Sequence, residues 1–126
     1  MKILLVDDSK TMRNIQKKVL EGIGGCEFLE ASDGVEALNA IAGTPSGFSV
    51  ILVDWNMPNM DGITLVTKIR ETDKRTPLIM VTTEAEKTRI VGAIKAGVNN
   101  YVIKPFTPPM LLEKVTQTLE KLKAAA

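Results

Sequence analysis

Three runs of consecutive apolar residues constrain this chain most: Ile3-Leu4-Leu5-Val6, Val50-Ile51-Leu52-Val53 and Leu78-Ile79-Met80-Val81. A strand with one wet face alternates apolar and polar side chains. A strand that is apolar at every position must be covered on both faces. Each run ends abruptly, in Asp7-Asp8, Asp54 and Thr82-Thr83. The three are therefore expected at the centre of a sheet sandwiched between helices, with carboxylates and hydroxyls where they leave the core.

Helical spacing fills the gaps between them. Ser9 caps a first helix with Met12, Ile15, Val19 and Ile23 inward, stopped by Gly22, Gly24 and Gly25. Asp33 caps a second helix, carrying Val35, Leu38 and Ile41, and Asp61 caps a third, carrying Leu65, Val66 and Ile69. A fourth runs from about Glu84 to Ala96, weakened by Gly92 and ended by Gly97. Thr107 caps the last, with Pro108 in its first turn and a buried stripe of Leu112, Val115, Leu119 and Leu122.

Two weaker strands complete the pattern. Cys26 to Ala31 roughly alternates, and Asn100-Tyr101-Val102-Ile103 is short and mixed, so both belong at edges. Strand and helix thus alternate five times. The expected fold is α/β: a doubly wound five-stranded parallel sheet in the order 2-1-3-4-5, flavodoxin-like (βα)5, forming one domain over residues 1–126. Ligands in such sheets bind beyond the carboxyl ends of the strands, at the switch point. Here that point lies between strands one and three.

Composition narrows the chemistry. A net charge of +1 gives no general attraction to nucleic acid or to a membrane surface. No apolar run is long enough to span a bilayer and the start lacks a signal-peptide pattern, so a cytoplasmic location is expected. Cys26 is alone, which excludes an internal disulfide, and it reads as a small buried hydrophobe in strand two. The absence of histidine removes histidine-based triads, most zinc sites and a phosphohistidine on this chain.

Asp7, Asp8 and Asp54 converge at the switch point. Each alone would pass as a helix cap, but Ser9 and Asp61 already supply caps just downstream. Three close carboxylates repel one another unless a cation joins them, and magnesium, with its octahedral shell of oxygens, suits the set. Thr82 adds a hydroxyl and Lys104 an ammonium, which together with a metal make a phosphoryl site. No G-x-x-x-x-G-K-[ST] loop is present to cradle a nucleotide. The acceptor left is a carboxylate, which can form an acyl phosphate.

Asp7-Asp8, the run Asp54-Trp55-Asn56-Met57-Pro58-Asn59-Met60-Asp61-Gly62, Thr82, Glu84-Ala85, Tyr101 and Lys104-Pro105-Phe106-Thr107 together resemble the receiver domain of response regulators. Within that family they resemble the single-domain chemotaxis regulators, and the likeness covers essentially the whole chain. It implies that Asp54 accepts a phosphoryl group from a partner histidine kinase. It implies Mg2+ held by Asp8, Asp54 and the Asn56 carbonyl, with Asp7 acting through water. Thr82 and Lys104 would contact phosphoryl oxygens, and the Lys104–Pro105 peptide would be cis. Asn56 and Glu84 would tune hydrolysis, and so would Thr83, which stands where the family commonly has a smaller residue.

The implied switch couples Thr82 to Tyr101, which turns inward. Lys87, Tyr101 and Lys114 would then meet a flagellar motor switch protein or another protein target. The implied protein is a monomer whose signal a partner phosphatase can end, an Mg-dependent phosphoacceptor and not an enzyme in the usual sense. Other readings stay open. A phosphorelay shuttle or the receiver of a larger regulator would share every motif, although an end in Lys123-Ala124-Ala125-Ala126 suggests a stand-alone switch. An aspartyl-phosphate phosphatase would want a second Asp where Asn56 stands. A flavin phosphate would be repelled by the acidic pair.

Overall fold

All three apolar runs are strands, and each is buried along its whole length. The computed structural model describes residues 1–125. In chain order the elements are β1 (Lys2–Val6), α1 (Lys10–Leu20), β2 (Glu27–Ala31), α2 (Gly34–Ala42), β3 (Val50–Val53), α3 (Gly62–Thr72), β4 (Leu78–Thr82), α4 (Lys87–Ala96), β5 (Asn100–Ile103) and α5 (Pro108–Ala125), with a short 3-10 turn at Glu21–Ile23. The sheet is parallel throughout, in the order β2-β1-β3-β4-β5.

Period-two alternation divides the central strands between two cores. Leu4, Val6, Ile51, Val53, Leu78 and Met80 face one way, against Ala37 of α2, Leu65, Val66 and Ile69 of α3 and Ala93 of α4. Ile3, Leu5, Val50, Leu52, Ile79 and Val81 face the other way, against Leu20 of α1 and Leu111 and Val115 of α5. The runs are unbroken because both sets must be apolar. Truncating any fully buried Leu or Ile here to Ala would cost about 2–5 kcal/mol.

Four capping expectations hold. Ser9, Asp33 and Asp61 each accept the backbone N–H three residues on, and the Thr107 hydroxyl accepts from Met110. Several helix faces differ from expectation. Ile15 is 42% exposed and α1 instead buries Gln16 and Leu20; Val35 is 46% exposed while α2 buries Gly34 and Ala37. On α5 the most buried positions are Leu111, Val115 and Thr118, with Leu112 and Leu119 only partly covered. Strand twist sets which side of a helix meets the sheet, and an apolar pattern leaves that rotation open by about one residue. Cys26 lies just before β2 and is half-buried.

The fourth helix begins at Lys87, not at Glu84. Residues 83–86 are extended or bent, and Glu84 among them is engaged elsewhere. The Glu84 carbonyl accepts from the Tyr101 hydroxyl at 2.7 Å, and its carboxylate accepts from Asn56 at 3.1 Å.

Candidate functional site

Register brings the acidic residues level. Val6 pairs with Val53, so β1 and β3 end together. The ladder runs one residue further on each side, with Asp54 N–H donating to Val6 and Asp7 N–H to Ala31. Carboxylate oxygens of Asp7, Asp8 and Asp54 lie within 4.8 Å of one another. Asp7 is 1% exposed and Asp54 8%, whereas Asp8 faces solvent.

Lys104 reaches this cluster from the other side of β4. Its backbone N–H donates to Thr82 at 2.8 Å, and its Nζ bridges Asp7 Oδ2 at 2.7 Å and Asp54 Oδ2 at 3.2 Å. The second oxygen of Asp7 accepts from Ser9 N–H and that of Asp54 from Trp55 N–H. Three carboxylates against one ammonium leave two negative charges on the pocket. That excess, the all-oxygen donor set and the open side at Asp8 fit a hard divalent cation such as Mg2+. The Lys104–Pro105 peptide is cis.

The loop after Asp54 is closed by Gly62, whose N–H donates to Trp55 at 2.8 Å. A Cβ at Gly62 would stand 2.1 Å from the Asp54 carbonyl oxygen, so only glycine allows the end of β3 and the start of α3 to meet here. Asn56 is exposed at the start of this loop.

Thr82 is fully buried at the end of β4, and its hydroxyl accepts a long hydrogen bond from Glu84 N–H, 3.4 Å. Thr83 points into solvent. Tyr101, expected to turn inward on switching, is inward in this structure, 9% exposed and bound to the Glu84 carbonyl. Burial raises the Tyr101 phenol above its ordinary range; the Glu84 carboxylate adds to this, Arg89 opposes it, and Asp54 adds a little more. Tyr101 and Lys114 line one groove, of about 480 Å³. Lys87 lies apart from them, on a separate apolar groove formed by α4 itself.

Several contacts around the site have no counterpart in the sequence pattern. Arg13 donates to the Asp7 carbonyl and to Glu30, tying the end of β1 to β2. Arg89 stacks its guanidinium 5.2 Å from the centre of the Trp55 ring. Asp33 accepts from the Asn59 side chain at 2.6 Å. A positive φ of 65° at Asn59 is the kind of turn that a Pro-Asn step signals; nothing in the sequence pairs Arg13 or Arg89 with its partner.

An acidic pocket at this switch point, bridged by the lysine after β5, defines a class. The chain belongs to the response regulator receiver domain family, whose sequence pattern matches residues 3–116. It is therefore a receiver of the two-component signalling type, a switch and not a classical enzyme. Among individual proteins it is 50% identical over 124 residues to "Chemotaxis protein CheY1" of Helicobacter pylori (strain ATCC 700392 / 26695), covering 94% of this chain and 97% of that protein. It is 49% identical over 121 residues to the "Chemotaxis protein CheY homolog" of Campylobacter jejuni (serotype O:23/36, strain 81-176), covering 94% and 92%. Its fold matches the crystal structure of a CheY-like receiver domain protein from Methanospirillum hungatei JF-1, with a TM-score of 0.88, 31% identity and coverage of 99% and 98%. Among the described residues no helix is long and apolar enough to cross a membrane.

Proposed function

We propose that this receiver is a chemotaxis switch operated by phosphorylation of Asp54. The observation that carries the reading is the Lys104 ammonium spanning Asp7 and Asp54 inside a cluster of three carboxylates. A carboxylate oxygen of Asp54 attacks the phosphorus of a phosphohistidine on the kinase. The P–N bond breaks, its electron pair leaves with the imidazole, and an aspartyl phosphate remains. Lys104 is placed to exchange its Asp54 contact for a phosphoryl oxygen, and the Thr82 hydroxyl to donate to another. Asp7, Asp8, Asp54 and the Asn56 carbonyl would hold Mg2+, which when bound neutralises charge on the transferring group.

The new group brings roughly −1.5 to −2 charges and three acceptor oxygens. Drawing Thr82 toward it loosens the Thr82–Glu84 contact and so bears on the segment to which Tyr101 is bonded. The output face is α4, β5 and α5. Lys87, Tyr101 and Lys114 lie there beside exposed Val91, Ile94, Ile103 and Met110, a mixed basic and apolar surface suited to a protein target. The likeness to chemotaxis proteins makes a flagellar motor switch protein the favoured target and a chemotaxis-type histidine kinase the donor. Asn56 and Glu84, hydrogen-bonded to each other, stand where they would tune water attack on the aspartyl phosphate, with or without a partner phosphatase. The protein acts as a cytoplasmic monomer in this reading.

The test is incubation with a small phosphodonor and Mg2+, read by intact mass. Wild type should gain one phosphoryl group and Asp54→Asn none; an unmodified wild type would refute the reading. A pull-down with and without a phosphoryl mimic separates a motor switch from a relay. Thr83→Ala should change the rate of phosphorylation or decay, and identical time courses would show that the side chain has no part.

A further inference from the structure

The loop from Asn56 to Asp61 is anchored far from its own strand. Its apex residue, Asn59, adopts a left-handed conformation and donates from its side-chain amide to Asp33 Oδ2 at 2.6 Å. Asp33 is 7% exposed, and its other oxygen caps α2 by accepting from Glu36 N–H at 2.8 Å. The next loop residue, Met60, packs over Gly34 so closely that a Cβ there would stand 2.7 Å from the Met60 sulfur. Apex and flank of the loop thus rest on the first turn of α2. The loop's base is closed by the Gly62–Trp55 hydrogen bond. Asn56, inside this closed loop, has its side chain on Glu84, and in the reading above its carbonyl would be a magnesium ligand.

We infer that Asp33 and Asn59 are positioning residues for magnesium. Their hydrogen bond, together with the Met60–Gly34 contact, sets the loop geometry and with it the aim of the Asn56 carbonyl. A ligand supplied by backbone cannot be corrected by a rotamer change, so its placement depends on what holds the loop. The inference rests on the metal-dependent phosphoacceptor reading and adds a second layer to it. Asp33 carries both duties: one oxygen orders α2, and the other carries that order to the metal loop.

Two substitutions separate positioning from general stability. Asn59→Gly keeps a residue at ease with positive φ but removes the amide, and Asp33→Ser keeps a helix cap but removes the second oxygen. Mg2+ affinity would be measured by calorimetry and by the fluorescence of Trp55, the sole tryptophan, with a core variant, Ile69→Val, as the stability control. Each latch variant should weaken Mg2+ binding roughly threefold to tenfold, below the 10–100-fold typical of a direct outer-shell partner. The double variant should be little weaker than either single one, because both remove the same bond. Saturating Mg2+ should restore full phosphoryl incorporation, and Ile69→Val should bind Mg2+ as wild type does. Wild-type affinity in both latch variants, losses that multiply in the double variant, or an equal loss in Ile69→Val would overturn the inference. A wild type that binds no Mg2+ would instead overturn the metal reading, and this inference with it.

Discussion

Lys104→Met should destabilise the protein strongly in the absence of divalent cations, and Mg2+ should reverse much of the loss. The two Lys104 contacts measure 2.7 and 3.2 Å, and at an effective dielectric of about 20 each is a gross attraction of roughly 5–6 kcal/mol. Most of that attraction offsets the cost of taking the ammonium and two buried carboxylates out of water. Asp7 and Asp54 oxygens within 4.8 Å of each other repel by more than about 3 kcal/mol on the same scale. Methionine fills similar volume but cancels none of that repulsion. Removing one member of a buried ion pair costs about 3–5 kcal/mol. For a chain of this size that lowers Tm by roughly 10–20 °C.

The assay is urea unfolding of wild type, Lys104→Met and Asp54→Asn, each in EDTA and in excess Mg2+. A cation at 100 times its Kd adds about 2.7 kcal/mol, and the lysine variant should regain at least that amount. Asp54→Asn should be no less stable than wild type in EDTA, since it removes a repelling carboxylate and leaves Lys104 paired with Asp7. Its Mg2+ response should be small. A Lys104→Met protein within about 1 kcal/mol of wild type in EDTA would refute the claim that the lysine serves as the pocket's stand-in cation.

Gly62→Ala should lose about 3 kcal/mol or more in the same assay, because a Cβ 2.1 Å from the Asp54 carbonyl forces strand and helix apart; an Ala variant as stable as wild type would mean that the loop is not held as described. Tyr101 is the only tyrosine, so its ionisation can be followed without ambiguity by absorbance near 295 nm. Its midpoint should lie above that of a free tyrosine. Because the folded value is raised, the stability it reflects is complete below the ordinary tyrosine range and is lost as pH rises through the folded value. Tyr101→Phe should cost about 0.5–1.5 kcal/mol through loss of the Glu84 hydrogen bond, measured by urea titration. Glu30 behaves in the opposite sense. Hydrogen bonds from Lys17, then Arg13, hold its carboxyl low against partial burial, so wild type should exceed Glu30→Gln slightly at pH 7, by about 0–1 kcal/mol, with the gap closing as pH falls through the depressed value.

Strand content, sheet order and the acidic cluster are legible in the sequence for one reason. A strand buried on both faces must be apolar at every residue, so the first polar residue after it marks the surface. That rule locates Asp7, Asp54 and Thr82 without any long-range information. Ile15 and Val35 lie outside the buried faces because an amphipathic pattern fixes a stripe but not its rotation against a twisted sheet. Glu84 has the propensity of a helix residue, but Tyr101 and Asn56 engage it from β5 and the β3 loop. Those partners lie 17 and 28 residues away, beyond the reach of any local pattern.

Several contacts that shape the site act through the backbone. Arg13 binds the Asp7 carbonyl, Gly62 crowds the Asp54 carbonyl, and Tyr101 binds the Glu84 carbonyl. Side-chain chemistry announces itself by residue type, and backbone positioning does not. The carboxylates and the lysine could be found by asking what chemistry a pocket at this point would need. Which atoms hold them there follows only from the folded chain. The distinction bears on function, because an electrostatic switch must keep its charges close while letting its supports move. Asp54 is gripped on both sides, by Lys104 and by its own Trp55 amide. Thr82, by contrast, meets Glu84 only through a 3.4 Å contact, and the segment beyond it is not helical until Lys87. In the proposed reading a change at Asp54 would reach the α4 face along this segment, loosening Thr82 from Glu84 while Glu84 stays bonded to Tyr101 and Asn56.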